Sequence, residues 1–251
     1  MFKPISEEDK AKIRNNTLLE EDQNKIIFFW NNRNARRKQS GTVIWWFNEW
    51  LEKNNLEDKA QLIMHTDPKD PHGQDLEAII NDHGMDDGRV IISHQKVPPE
   101  QLAMMYNMAD CTINISDAEG FGLGTLESLS CGTPIIVNMT GGLQEQVTDG
   151  KNWFGIGIEP ASKAIIGSQA VPYIYEDRIN KDDFVNALVK MYEMSEGERE
   201  ELGELGIKHV RDNYNYDVFC DKWVEIIDGI VEKHGSWETR KSYSPILFEE
   251  V

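Results

Sequence analysis

The stretch CTINISDAEGFGLGTLESLSCGTPIIVN, residues 111–138, decides the fold predicted for this chain. Apolar and β-branched residues from Thr112 to Ile115 predict a strand that stops at Ser116. A loop with glycines, a short helical segment and a second apolar run over residues 133–137 follow. Such a unit joins two parallel strands by a right-handed crossover. The loop is therefore expected at the carboxyl edge of the sheet, where open α/β sheets bind ligands.

Glycines occupy alternate positions in this loop. Gly120, Gly122 and Gly124 let the backbone approach a ligand closely. The helix that follows presents free N–H groups and the positive end of its dipole to an anion. The loop is therefore predicted to be a phosphate cradle.

Two carboxylates flank the glycines. Glu119 precedes them and Glu127 lies within the predicted helix, with seven residues between the two. Carboxylates repel a bare phosphate, so they need another role here, and accepting hydrogen bonds from sugar hydroxyls suits them. A phosphate cradle with two hydroxyl acceptors is typical of a nucleotide-sugar site.

The same residues resemble the E-x7-E signature of retaining GT-B glycosyltransferases, in particular family four, the glycosyl transferases group 1. The resemblance is carried by Glu119, Gly120, Phe121, Gly122, Leu123 and Glu127. It implies that Glu119 lies against the donor sugar and Glu127 against the ribose of the nucleotide. The backbone from Gly120 to Gly124 would then hold the diphosphate.

A basic segment supplies cations to this acidic chain. Arg33 and Lys38 resemble the R-x4-K pair of the family, which grips the donor diphosphate. Fixed cations stabilise the negative charge that a leaving diphosphate gains in the transition state. Arg36 and Arg37 lie in the same segment, and the sequence leaves open whether they belong to the site or to a solvated surface.

Three further elements resemble the family in its order along the chain. Phe2 and Pro4 resemble the F-x-P element at the end of the interdomain linker. Val97 stands where the family's backbone meets the nucleobase, and Gly141 and Gly142 resemble its G-G-x-x-E element. Val97, Gly141 and Gly142 are therefore candidate donor-binding residues.

The expected architecture is α/β: a single Rossmann-like, doubly wound parallel sheet with helices on both faces, one half of a GT-B fold. Apolar runs at residues 25–30, 61–65 and 89–93 predict further buried strands. Residues 160–177, with two prolines and no clear period, are expected to be an irregular insertion over the site or against a partner.

Three parts are expected along the chain. Residues 1–24 are interpreted as a linker remnant, residues 25–234 as the donor-binding domain, and residues 235–251 as a tail or docking segment. The family's amino-terminal acceptor domain is not in this sequence, so we expect it as a separate domain or subunit.

Composition limits the class of protein. The chain has 251 residues and a net charge of −18, which argues against a general nucleic-acid or anionic-membrane surface. No apolar run approaches the ~20 residues of a membrane span, and residues 1–24 are acidic and polar, so they are not expected to form a signal peptide. Three widely spaced cysteines indicate reduced thiols and a cytoplasmic location, with no zinc pattern.

The sequence favours the donor-binding half of a retaining glycosyltransferase that uses a UDP-, GDP- or ADP-sugar and an unknown acceptor. Arg33 and Lys38 would replace a metal, so neither a metal nor a cofactor is expected. A nicotinamide dehydrogenase is the weaker alternative, because the glycines are spaced G-x-G-x-G and the next strand ends in Asn138. A non-catalytic nucleotide-sugar-binding module, a subunit of a split enzyme and a fragment of a longer chain also remain open.

Overall fold

The computed structural model describes residues 1–85, 87–167, 169 and 171–242. The chain forms two compact units, Met1–Lys208 and His209–Val251. Six parallel strands form one sheet in the order β3-β2-β1-β4-β5-β6, which confirms the predicted parallel sheet. The strands are β1 (Ile26–Asn31), β2 (Ala60–His65), β3 (Val90–Ser93), β4 (Cys111–Asn114), β5 (Ile135–Asn138) and β6 (Gly155–Ile158).

Helices lie on both faces of the sheet, as the sequence predicts. The helices of the described residues are α1 (Glu7–Thr17), α2 (Ser40–Asn54), α3 (Leu76–Asp82), α4 (Pro99–Met108), α5 (Leu123–Ser130), α6 (Leu143–Val147), α7 (Lys181–Glu193), α8 (Glu196–Asn213) and, in the second unit, α9 (Tyr216–His234). Helices α2, α3 and α7 cover one face, while α1, α4 and α5 cover the other. The fold is therefore doubly wound.

The central strand β1 faces a core on each side. Phe28 and Trp30 pack with the α2 side, and Ile27 and Phe29 pack with the α4 side. All four side chains have no exposed surface. A strand buried on both faces needs a continuous apolar run, which explains why this segment can be recognised from the sequence.

The strand order creates a switch point between β1 and β4. From β1 the chain crosses to β2 on one side, and from β4 it crosses to β5 on the other. Connections that leave neighbouring strands in opposite directions open a crevice at the carboxyl edge of the sheet. The loops that follow β1 and β4 line that crevice.

The expectation of an irregular insertion at residues 160–177 is wrong for about half of that segment, which lies in two strands. It forms an antiparallel hairpin of β7 (Ser162–Ile166) and β8 (Ile174–Arg178). Ile165 pairs with Tyr175, and Ile166 with Ile174, so β-branched and aromatic residues face each other across the strands. Both prolines lie outside the strands, at positions 160 and 172, and therefore leave the ladder intact.

The predicted linker, residues 1–24, contains the helix α1, and the helix α9 ends at His234, just before the predicted tail. Within residues 1–24, α1 packs on α4, and Arg14 donates to the carbonyl of Met108 at 2.8 Å and to Asp110. In the second unit, α9 carries exposed apolar side chains, among them Phe219, Trp223, Ile226, Ile227 and Ile230. Residues 243–251 of the predicted tail lie outside the described residues. Among the helices described, none combines the length and the apolarity that crossing a membrane requires.

We expect Ile113→Ala to lower the free energy of unfolding by about 2–5 kcal/mol, because Ile113 on β4 is fully buried and its loss leaves a cavity. Urea denaturation followed by circular dichroism measures this change. The matched control is Ile165→Ala on β7, whose side chain is largely exposed, with a loss of about 1 kcal/mol or less. Equal losses in the two variants would contradict the assignment of β4 to the core.

Candidate functional site

An ion pair joins the loops that follow β1 and β4. The Lys38 ammonium contacts Glu119 Oε2 and donates to Asn32 Oδ1 at 2.8 Å. The side chains of Lys38 and Glu119 are only 9% and 11% exposed. Burial lowers the pKa of Lys38, although the Glu119 carboxylate opposes that shift. The structure therefore brings the predicted Lys38 and Glu119 together in the crevice.

A second cation reaches the same carboxylate. Arg37 Nη1 lies 3.2 Å from Glu119 Oε2 and donates to the carbonyl of Ala118 at 2.6 Å. The Arg37 side chain is 43% exposed, so it remains accessible to solvent while it contacts Glu119. The sequence left Arg37 open between the site and the surface, and the structure places it beside Glu119.

Arg33 contacts a different acid. Its guanidinium forms a bidentate pair with Asp70, with Nε–Oδ2 at 2.6 Å and Nη2–Oδ1 at 3.2 Å. The side chain of Arg33 is 61% exposed. The hydrogen bonds from Arg33 are the main cause that lowers the pKa of Asp70 to about 2. Of the predicted pair, Lys38 contacts Glu119, whereas Arg33 contacts Asp70, and its role toward a diphosphate stays a prediction.

The β7–β8 hairpin is tied to the basic loop through Glu176. Arg36 forms a bidentate pair with this almost fully buried carboxylate, and Arg178 Nη2 adds a third contact at 3.0 Å. Hydrogen bonds from Arg36 lower the pKa of Glu176 despite its burial. The hairpin therefore packs over the edge of the crevice and restrains the loop that carries Lys38.

Asp117 connects the loop after β4 with both the basic loop and the hairpin. Its N–H donates to the carbonyl of Arg37 at 2.8 Å, and its carboxylate accepts from Gln39 Nε2 at 2.6 Å. Its carbonyl accepts from the N–H of Asp177 on β8 at 2.7 Å. Burial raises the pKa of Asp117. Backbone bonds of this kind fix the spacing between Lys38 and the glycine loop.

The predicted glycines bring two loops into backbone contact. Gly122 precedes α5 with φ +89°, and Gly141 has φ +51°, which are conformations that L side chains rarely adopt. A Cβ on Gly141 would lie 1.6 Å from the carbonyl oxygen of Glu119, and one on Gly142 would lie 2.7 Å from that of Phe121. The loops after β4 and β5 therefore pack too closely for any side chain at these two positions.

The open side of the glycine loop is available to a ligand. Among the described residues other than its two chain neighbours, none has a heavy atom within 4 Å of a Cβ placed on Gly120. The side chains of Phe121 and Leu123 are exposed at the start of α5. The first turn of α5 presents N–H groups that have no acceptor within the helix. This edge therefore combines backbone donors, two cations and space.

Gln146 supports the glycine loop and was not identified from the sequence. It is fully buried on α6; its Nε2 donates to the carbonyl of Phe121 at 2.7 Å, and its Oε1 accepts from Thr125 Oγ1. The sequence offers one indication of this role: Gln146 directly follows Glu145, the last residue of the G-G-x-x-E element. Glu145 itself is exposed.

Glu127 lies on α5, after the glycine loop, and a hydrogen bond from Tyr106 on α4 holds its carboxylate. The Tyr106 hydroxyl donates to Glu127 Oε2 at 3.0 Å and accepts from Asn31 Nδ2 at 2.8 Å. Burial raises the pKa of Glu127, and the hydrogen bond from Tyr106 opposes that rise. A Cβ on Gly124 would lie 3.2 Å from the Tyr106 hydroxyl and 3.1 Å from the carbonyl oxygen of Asn31. Gly124 therefore leaves room for this chain of polar groups.

Val97 lies on a different loop from these residues. It is half-buried in the loop between the edge strand β3 and α4. Within the described parts of the chain, no hydrogen bond or ion pair links it to Glu119 or Glu127. Its predicted contact with a nucleobase, like the expectation of no metal, stays a prediction.

Chemically, the crevice offers cations and backbone N–H groups for an anion, and two carboxylates for hydroxyl groups. Lys38, Arg37 and the start of α5 suit a phosphate. Glu119 and Glu127 are hydrogen-bond acceptors that suit sugar or ribose hydroxyls. The same edge can therefore hold a molecule that carries phosphates between two hydroxylated rings.

Comparison with solved structures gives the same fold. Sucrose-phosphate synthase from Thermosynechococcus elongatus matches with a TM-score of 0.68 and 22% identity, over 92% of this chain and 50% of that one. HepE from Anabaena, solved in complex with UDP and glucose, matches with a TM-score of 0.67 and 15% identity, over 90% and 54%. The C-terminal domain of a glycosyl transferase group 1 family protein (LpcC) from Francisella tularensis matches with a TM-score of 0.62 and 17% identity, over 86% and 96%. The chain thus has the fold of one half of a GT-B glycosyltransferase, as expected.

Curated relatives share part of the sequence. The D-inositol 3-phosphate glycosyltransferase of Arthrobacter sp. (strain FB24) is 33% identical over 113 residues, which are 45% of this chain and 26% of that protein. The enzyme of the same name from Acidothermus cellulolyticus is 39% identical over 90 residues, 36% and 20% of the two chains. The matched segment therefore spans about a quarter of these relatives' length.

The family itself is shown by a match over most of the chain. The sequence model described as glycosyl transferases group 1 matches residues 9–191. That range contains the sheet, the basic loop, the glycine loops and both carboxylates. The chain therefore belongs to the glycosyl transferases group 1 family.

Proposed function

We propose that this chain is the donor-binding half of a retaining glycosyltransferase, which transfers a sugar from a nucleoside-diphosphate sugar to an acceptor. The observation that carries the proposal is the meeting of Lys38, Arg37 and Glu119 beside the glycine loop at the switch point of the sheet. Family membership and the fold shared with HepE, which was solved with UDP and glucose, support it. UDP-, GDP- and ADP-sugars are the proposed donors.

Each residue has a role in this proposal. Lys38 and Arg37, together with the N–H groups at the start of α5, stabilise the charge that develops on the departing diphosphate. Glu119 orients the donor sugar, and Glu127 accepts hydrogen bonds from the ribose. Arg33 joins the diphosphate contacts when it leaves Asp70. The proposal that the configuration is retained rests on the family resemblance alone.

The acceptor is expected on a separate domain or subunit, because this chain spans about half the length of the sucrose-phosphate synthase and HepE chains that it matches. The same observation favours the second candidate, a nucleotide-sugar-binding module or a subunit of a split glycosyltransferase. A cytoplasmic location belongs to the proposal and is supported by the free thiols of Cys111, Cys131 and Cys220.

We expect Lys38→Ala to weaken binding of a nucleoside diphosphate at least roughly tenfold, since it removes a buried cation and leaves Glu119 to repel the ligand. Isothermal titration calorimetry with UDP, GDP and ADP measures the affinity. The control is Lys53→Ala, which removes an exposed ammonium from the far end of α2. The proposal fails when none of the three nucleotides binds to the unmodified chain, or when Lys38→Ala binds as tightly.

The two arginines can be ranked by the same titration. We expect Arg37→Ala to weaken nucleotide binding roughly tenfold and Arg33→Ala about threefold or less, because Arg37 shares Glu119 with Lys38 and Arg33 is exposed and paired with Asp70. The reverse ranking would give Arg33 the role that the family resemblance implies and would remove Arg37 from the site.

We expect Glu119→Gln to reduce turnover of the donor by roughly 100-fold or more, because it removes the charge that orients the sugar. Release of UDP, GDP or ADP from the corresponding glucose donor measures turnover. Affinity for the free nucleotide should stay unchanged or rise, since Lys38 loses a competing carboxylate.

Glu159→Gln is the matched control, because Glu159 is exposed beyond β6. Turnover that survives Glu119→Gln would contradict the role of Glu119. Tight nucleotide binding by the unmodified chain without turnover of any donor would favour the binding module or split subunit over the enzyme.

A further inference from the structure

Tyr106 stands between the end of β1 and Glu127 and has no assigned role. The phenol is fully buried on α4, yet its hydroxyl makes two hydrogen bonds. Its pKa lies well above the ordinary value, mainly because of burial and also because of the nearby charge of Glu127. The hydroxyl therefore keeps its proton at neutral pH and acts as a donor.

The direction of that donation is fixed by Asn31. The Asn31 amide donates to the Tyr106 oxygen at 2.8 Å, so the single hydroxyl proton is left for Glu127 Oε2 at 3.0 Å. Asn31 is the last residue of β1, and the loop that it opens carries Lys38. A chain of hydrogen bonds thus runs from Asn31 through Tyr106 to Glu127. It connects the strand that precedes the basic loop with the second carboxylate of the site.

Packing holds the Tyr106 ring in one orientation. Phe29 meets it edge-to-face with a centroid separation of 5.1 Å, and Phe2 meets it in the same way at 6.0 Å. Edge-to-face aromatic contacts favour specific geometries in addition to burying area. The hydroxyl is therefore a fixed point to which the Glu127 side chain is tied.

We propose that Tyr106 is a positioning residue for ribose recognition: its hydroxyl holds Oε2 of Glu127, which leaves the other carboxylate oxygen oriented to accept a hydrogen bond from the ribose of the nucleotide. The inference rests on the proposed function, because it concerns the same donor site. Tyr106 does not touch the ligand. It sets the geometry and the ionisation of the group that does.

The test separates ribose recognition from nucleotide binding in general. The probes are whichever of UDP, GDP and ADP binds most tightly and its 2′-deoxy and 3′-deoxy forms, titrated by calorimetry. A hydrogen bond to a charged group corresponds to roughly 10- to 100-fold in affinity, so the unmodified chain should prefer the ribose form over at least one deoxy form by that factor.

We expect Tyr106→Phe to reduce this preference to about threefold or less, because the ring still packs but Glu127 loses its fixed partner. Affinity for the deoxy form should change by about twofold at most, since that ligand does not use the carboxylate. The matched control is Tyr192→Phe on α7, which removes a phenolic hydroxyl in the core cluster on the other face of the sheet. The control should keep the full preference.

A second variant leaves the Tyr106 ring and hydroxyl in place. Asn31→Asp replaces the amide donor with an acceptor of the same size, so the hydroxyl proton turns toward β1 and away from Glu127. The added charge lowers affinity for all nucleotides, but the ratio between ribose and deoxy forms cancels that effect. We expect the ratio to fall as it does in Tyr106→Phe.

The pH dependence supplies a readout that loss of packing alone would not shift. Burial raises the pKa of Glu127 and the bond from Tyr106 lowers it, so Tyr106→Phe should raise that pKa further. Whatever ribose preference remains in Tyr106→Phe needs the ionised carboxylate and should be lost at a higher pH on acidification than the preference of the unmodified chain. Among the described residues, the titratable groups facing Glu127 are Tyr106 and Cys131, and burial raises the pKa of the Cys131 thiol to about 12, which keeps it neutral in this range.

Each outcome has one meaning. A full ribose preference in both Tyr106→Phe and Asn31→Asp overturns the inference and leaves the proposed function standing. Tight nucleotide binding by the unmodified chain without any ribose preference overturns the role of Glu127 and the inference with it. Absence of nucleotide binding overturns the proposed function itself.

Discussion

The ion pair between Lys38 and Glu119 is the constraint on which the rest of the site depends. It joins the ends of two adjacent strands whose connections leave in opposite directions, so each partner comes from a different half of the sheet. Both charges are almost buried, and removing one partner of such a pair is costly because the other is left uncompensated. The two loops must therefore keep a fixed position relative to each other, and the backbone hydrogen bonds around Asp117 maintain that position.

Acidic residues from other segments hold the arginines of the basic loop in place. Each of the three arginines in the loop pairs with a carboxylate from a different segment: Arg33 with Asp70, Arg36 with Glu176 and Arg37 with Glu119. The partner acids differ in burial, and a buried, bidentate partner restrains a side chain more than an exposed one does. The loop is thus fixed at its centre by Glu176, while Arg33 remains at the surface and Arg37 remains at the crevice.

Parts of this arrangement could be read from the sequence because burial leaves a pattern. The strands of the parallel sheet are apolar runs, and the carboxyl ends of adjacent strands share an edge, so the meeting of Lys38 with Glu119 follows from the topology. The choice of acid for each arginine could not be predicted, because neighbouring residues of a tight turn point in different directions and tertiary distances decide their partners. The β7–β8 hairpin was not predicted, because its strands are largely exposed and carry no buried apolar run that would mark them in the sequence.

The contact of Gly141 with the carbonyl of Glu119 has a consequence for how this edge of the protein can change. At Gly141 and Gly142 the two turns meet main chain to main chain, with no side chain between them, so neither turn can accept a bulkier residue at this contact unless the other turn moves. An attempt to change the donor preference by exchanging loops would therefore have to replace the turns after β4 and β5 together. A hybrid whose replaced turn carries any side chain at position 141 or 142 would collide with the main chain of the other turn.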